Sequence, residues 1–207
     1  MLEAYQRITN NLVRRVNEQR GIRGSVREAM APRKLRQQFV ADCRAAAQQG
    51  VVTGMLAEAS VRLIADKFLI TERHCWWPQL EEENLVIAAQ NREWFVGKQA
   101  LPERVDWHRR VYAATEARAV LLCQPVAVLR LAALGWLPDG KVWSDVETAV
   151  SAPILTAPDN VAAALVAHDV VLVAGVGLIT TAASLGQAIA RAETVAHWCR
   201  ATLAMNN

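Results

Sequence analysis

The chain has 207 residues, 53% of them apolar and 21% charged, with a formal net charge of +3. That balance allows one well-buried core and excludes a disordered, collagen-like or coiled-coil chain. No stretch reaches the roughly 18 to 20 consecutive apolar residues that span a bilayer, and charges from the third position onward leave no apolar core for a secretory leader, so a cytoplasmic protein without membrane contact is expected.

Ile8, Leu12 and Val16 recur at helical spacing, and GIRGS ends that first helix. A second helix is predicted from Pro32 to Gly50, with Leu35, Phe39, Cys43 and Ala46 along it. VVTGM, ASVRLIA and KFLIT then run in short β-branched blocks, predicting two adjacent strands with a turn at Ala65 and Asp66. HCWWPQLEEE reads as a loop or short helical turn before a strand at Leu85 to Ala88, and a short strand pair is expected between Asn91 and Leu101. A helix over Asp106 to Ala117 (Trp107, Val111 and Ala114 on one face), a buried strand at Ala119 to Cys123 and a helix over Pro125 to Leu134 follow. WLPDGKVW is turn-rich, and Asn160 to Ala167 is helical. Val170 to Ala174 is a strand of the all-apolar kind covered on both faces, with Leu178 to Thr181 continuing it past a glycine bend. Ser184 caps a last helix reaching about Leu203, its inward stripe formed by Leu185, Ile189, Ala192, Val195, Ala196 and Cys199. The order predicts an α/β domain with a mixed sheet between helices.

Charge is uneven: residues 1–50 carry ten Lys and Arg against four acids, leaving the remainder at −3. A basic helical face of this kind meets solvent or another subunit, and without aromatic interleaving or a recognition motif nucleic acid is not expected as a partner. Cys43, Cys75, Cys123 and Cys199 show no paired spacing, so free thiols are expected rather than disulfides or a zinc ribbon. His74 beside Cys75, and His197 two residues from Cys199, have no chelating spacing either. Gly175-Val176-Gly177 lacks the third glycine of a dinucleotide fingerprint. The run Glu81-Glu82-Glu83 suits a helix start or a contact with the basic segment of a neighbouring subunit.

Four collinear blocks carry a family resemblance: Gly50 to Gly54 ahead of Ser60 to Arg62 and Phe68 to Thr71; His108 to Tyr112; Ala119-Val120; and Gly177 to Ala188. Over about residues 35–205 the chain resembles the class II aldolase/adducin family, with residues 1–34 as a basic helical extension. The resemblance implies a three-layer α/β/α domain on a nine-stranded, mainly antiparallel mixed sheet, assembled as a fourfold homotetramer with sites between subunits. It also implies a zinc ion held by three histidines that polarises a carbonyl, a glutamate acid/base, and a Gly-Asn turn with a serine pair that hold a substrate phosphate.

This sequence departs from that pattern where the chemistry sits. The Gly-Asn turn is Ala57-Glu58; the serine pair and glutamate fall at Pro102, Glu103 and Arg104, and a one-residue slip brings Glu103 to the acid/base position. Two histidine positions are Cys123 and Pro125, and the third is Val176. The expectation is a protein without metal or other cofactor that has lost metal-dependent aldolase activity and acts as a non-catalytic subunit, scaffold or binding protein. Thr53, Gly54, Glu58, Ser60 and His108 would line a cleft for a small molecule. The alternative is a carbon–carbon lyase for a small oxo-acid or sugar derivative, rebuilt from Glu58, Glu103, Arg104, Cys123 and His168. In that case Arg104 suits a carboxylate ligand and His168-Asp169 orients a base beside a thiol.

Overall fold

The computed structural model describes residues 31–64, 66–134, 154–173 and 175–205. The expected helix before GIRGS and the turn-rich WLPDGKVW segment lie outside these residues. Within the unit that starts at Arg33, five helices are described: α1 (Arg33–Gln48), α2 (Val105–Ala114), α3 (Val126–Ala133), α4 (Val161–Ala167) and α5 (Leu185–Met205). The strands are β1 (Glu58–Arg62), β2 (Lys67–Thr71), β3 (Leu85–Ala89), β4 (Phe95–Val96), β5 (Ala119–Cys123), β6 (Ile154–Thr156), β7 (Val170–Val173) and β8 (Gly177–Ala182). They form one sheet in the order β4-β3-β2-β1-β5-β8-β7-β6. Only β6 and β7 pair in parallel, so the sheet is mixed and mainly antiparallel.

Alternation along the strands sorts side chains onto two faces. Ser60, Val120 and Leu122 lie on the face covered by α2 and α4, where Phe68, Ile70, Tyr112, Leu165 and Ile179 form a buried apolar cluster. Ala59, Leu121 and Thr180 lie on the opposite face; there the Thr180 hydroxyl donates to the Ala188 carbonyl of α5 at 2.7 Å. Buried Phe39, Val40, Cys43 and Ala46 give α1 its inward stripe, and every stripe residue expected for α5 is buried. Ser184 caps α5, its Oγ accepting from the Gln187 amide at 3.3 Å. The three-layer arrangement follows from these two faces.

Four expectations are revised. The pair expected between Asn91 and Leu101 is a single two-residue strand, β4, added to β3. The segment after Gly177 does not prolong β7. Gly175 (φ 69°) and Gly177 (φ 138°) adopt backbone angles that L side chains rarely reach, and the turn they form sends β8 back antiparallel. Strand β6, which the sequence reading left unassigned, pairs beside β7. In α2 the buried residues are Val105, His108, Val111 and Tyr112; of the expected face Val111 is buried and Trp107 packs against the cluster, but Ala114 is exposed. The helix ends at Ala114 because Thr115 turns to extended backbone and its hydroxyl donates to the Val111 carbonyl at 2.8 Å.

Candidate functional site

The spacing of α2 builds the first half of the site. His108 and Tyr112 are four residues apart, hence on one helix face, and both reach the same hydroxyl on β1. Ser60 Oγ lies 2.7 Å from His108 Nδ1 and 2.8 Å from the Tyr112 hydroxyl. Two residues further along the strand Arg62 closes the other end of the helix, donating to the carbonyls of Tyr112 at 2.8 Å, Thr115 at 2.7 Å and Ala117 at 3.0 Å. Its guanidinium also stacks on the Tyr112 ring. Burial pushes the Tyr112 phenol well above its ordinary range, opposed by the Ser60 hydrogen bond and by Arg62. It stays a neutral link in the chain.

The other imidazole nitrogen, His108 Nε2, stands 3.5 Å from Glu58 Oε2. Both atoms are buried and make no hydrogen bond, and their residues are 1% and 5% exposed. Glu58 Oε1 accepts from the Arg104 backbone amide at 3.3 Å and lies 3.7 Å from the Arg104 guanidinium. A polar seam therefore runs Tyr112, Ser60, His108, Glu58, Arg104 along the β1–α2 contact. Its Ser-His-Glu portion has the connectivity of a nucleophilic relay, but Ser60 is fully buried, so no substrate carbonyl reaches it. The seam holds Glu58 in place.

Glu58 and Arg104 form part of a shallow, solvent-open cleft with a free volume of only about 10 Å³, room for about one water, whose rim includes Glu103, Arg73 and His74 with the exposed apolar lip Met55 and Leu56. His74 takes a positive φ of 54° and faces Glu103 at 3.7 Å. Of the residues singled out in the sequence, Glu58, Glu103 and Arg104 meet here. Ser60 and His108 lie behind Glu58, out of reach of a ligand. Thr53 is an exposed loop residue whose hydroxyl donates to the Gln124 carbonyl at 3.3 Å, and Gly54 turns the same loop at φ 74°. Arg73, Met55 and Leu56 were missed, because their loops carry no motif and converge only when folded.

Cys123 and His168 are not brought to the cleft. Leu122 is the partner of Glu58 across β1 and β5, so the next residue, Cys123, points through the sheet to the α5 side. It is fully buried, and burial pushes its thiol up to about 12. His168 precedes β7 at the end of the sheet where Ala119 faces Ala182, whereas Glu58 sits at the Leu122 end. A base at His168 and a thiol at Cys123 are therefore separated along the strands as well as by face.

The three positions that the resemblance assigns to zinc ligands gather at the Cys123 end of β5. Cys123 is turned to the far face, Pro125 is buried, and Val176 packs against the apolar cluster. Between them Gln124, which the sequence reading passed over, donates its amide to the Val176 carbonyl at 2.7 Å. A Cβ on Gly177 would lie 2.4 Å from the Cys123 carbonyl oxygen and 2.8 Å from Gln124 Cγ, so the two loops are in close contact. Among the described residues no group of three His, Cys, Asp or Glu is placed to hold a metal ion. Nor is any described helix long and apolar enough to cross a membrane.

Comparison with known proteins adds a family model, the Class II Aldolase and Adducin N-terminal domain, that matches residues 37–203. Similar solved structures include YgbL from Klebsiella pneumoniae, at 20% identity and TM-score 0.73 over 86% of this chain and 92% of that one. An L-fuculose 1-phosphate aldolase superposes with TM-score 0.75 at 18% identity, covering 86% and 89%. The L-fuculose-1-phosphate aldolase of Thermus thermophilus gives 0.72 at 20% identity, covering 83% and 97%. At these identities the likeness is one of fold. Curated proteins give no match.

Proposed function

The chain belongs to the class II aldolase and adducin N-terminal domain family, and on that premise we propose that this member works without the family's metal-dependent aldol chemistry, as a non-catalytic subunit, scaffold or binding protein. One observation carries the reading. The positions that the resemblance assigns to metal ligands hold a proline and a valine, which offer a cation no side-chain lone pair, and a cysteine that faces away with its proton firmly held. This donor set does not fit a three-histidine zinc site, and the Gln124 amide ties the two loops together there. The setting we propose is cytoplasmic and homo-oligomeric, supported by four free buried thiols and by the tetramer that the family resemblance implies. In the same reading residues 1–34 are a basic extension outside the aldolase-like domain.

Elemental analysis of the purified protein, paired with an aldol cleavage assay on sugar phosphates with and without chelator, tests this. We expect no stoichiometric divalent metal and no chelator-sensitive cleavage. One tightly held metal ion per chain, with cleavage lost on chelation, overturns it.

A second reading rests on the meeting of Glu58, Glu103 and Arg104 in one cleft: a lyase for a small oxo-acid or sugar derivative that uses these residues. Here Arg104→Gln abolishes turnover while Cys123→Ser, behind the sheet, leaves it unchanged. Full turnover in Arg104→Gln removes this alternative.

A further inference from the structure

A second depression opens at the rim of the sheet away from Glu58. Strand β1 has Glu58 at one end and Arg62, the partner of Phe68, at the other, so Lys67 at the start of β2 lies past that far end. Asp66, Lys67, Ala89, Asn91 and Arg92 line about 310 Å³ of space there, open to solvent, against about 10 Å³ beside Glu58. That volume is at the lower end of what a small-molecule site holds. Backbone hydrogen bonds fix its frame: the Leu63 amide donates to the Lys67 carbonyl at 2.7 Å, the Gln90 amide to that of Asp66 at 2.8 Å and the Ala89 amide to that of Trp94 at 2.9 Å. They fasten the β1–β2 turn and the loop after β3 to one another. Both cations of the lining rest on a single ring, with Lys67 Nζ 5.3 Å and the Arg92 guanidinium 5.5 Å from the centre of the Trp94 indole. Arg36, Arg109 and Arg191 are each paired with a carboxylate, whereas among the described residues neither Lys67 nor Arg92 has a carboxylate or a hydrogen-bond acceptor for its charged group. The indole restrains the two long chains and leaves their donors free, which lowers the ordering cost for an incoming oxygen acceptor.

We propose that this depression binds a small oxyanion, the carboxylate or phosphate of a hydroxylated molecule, held by Lys67 and Arg92. The guanidinium presents a planar fork and the ammonium a compact charge, and together they match the oxygens of one such group. Asn91 and Asp66 complete the lining with an amide donor and a carboxylate acceptor for hydroxyl groups. Asp66 also sets a limit, since one carboxylate beside two cations leaves charge for a single oxyanion and repels a polyanionic chain. The site goes beyond the reading of the aldolase-like cleft, with which it shares no residue.

Titration calorimetry with glycerate, glycerol phosphate and glycerol, probes that share hydroxyls and differ in the charged group, tests it. Wild type is expected to bind at least one of the two anions saturably, the tighter one identifying the group recognised, and not to bind glycerol. Lys67→Gln and Arg92→Gln each weaken that anion by about fivefold or more. Lys67→Gln/Arg92→Gln abolishes binding, and Lys67→Arg, which keeps the charge, retains it. Lys67 is only half-buried and Arg92 is exposed, so the urea midpoint stays at the wild-type value and a loss of binding reports the site. No saturable binding of either anion to wild type, glycerol bound as tightly as the anions, or binding that persists in the double variant overturns the proposal. None of these results bears on metal content or aldol cleavage, so the two readings fail separately.

Discussion

Two neighbouring regions at the Glu58–Leu122 end of the β1–β5 strand pair have solved the same problem in opposite ways. At the start of α2 the chain keeps charge in its interior and neutralises it: Glu58 faces His108 and Arg104, and the imidazole leans on Ser60 and Tyr112. Beside it, where Cys123 and Gln124 meet the loop before β8, it removes charge, leaving a proline, a valine, a buried thiol and one amide hydrogen bond. The difference teaches where sensitivity to substitution resides. A buried ion pair adds little when intact but is costly to break, because the remaining partner is left unpaired, whereas a packed apolar loop contact fails only when its space is invaded.

The largest expected effect breaks the polar seam. His108→Ala leaves a cavity and strips the buried Glu58 Oε2 and Ser60 hydroxyl of their imidazole partner, and should destabilise the fold by about 3–5 kcal/mol in urea unfolding. Gln124→Ala at the neighbouring loop contact loses one hydrogen bond and should cost about 1 kcal/mol. Equal losses would erase the contrast. Next comes invasion of the packed loop contact: Gly177→Ala brings a Cβ to 2.4 Å from the Cys123 carbonyl at a φ of 138°. Strain and overpacking together should cost roughly 2–4 kcal/mol. Gly175→Ala, with φ 69° but nothing within 4 Å, serves as the milder control.

The smallest effect at neutral pH concerns the thiols. Burial raises Cys123, Cys75 and Cys199 from an ordinary 9.0 to about 12. The unfolded chain therefore releases these protons first. Stability from this source is complete below pH 9 and is lost as pH rises from 9 toward 12. Unfolding midpoints measured from pH 7 to 11 should stay level and then fall, and Cys123 should resist a thiol reagent at pH 8 until the protein unfolds. Fast labelling of Cys123 in the native protein would show that the packed loop contact opens.

Much of this contrast was legible in the chain itself. The block Ser60 to Arg62 and the spacing of His108 and Tyr112 mark one device, since a strand hydroxyl takes both helix side chains and the arginine two residues on caps the helix end. The stripe of α5 was readable because apolar periodicity over five turns has one interpretation. The face of α2 was legible only in part, at Trp107 and Val111, because a buried histidine does not register as apolar; only its partner on β1 shows why His108 faces inward. Pairing Cys123 with His168 failed for a related reason. Which face of a sheet a residue takes depends on register, and register is fixed by strands far away in sequence. The cleft was half visible: Glu58, Glu103 and Arg104 were reached by position, while Arg73, Met55 and Leu56 come from loops that meet only through the fold.

The brevity of β4 has a consequence for how copies of this molecule can meet. An edge of two residues presents hardly a rung of open backbone, so a second molecule gains almost nothing by extending the ladder there. Association at that border must be written in side-chain shape and charge, which single substitutions can tune, rather than in main-chain zippering, which they cannot.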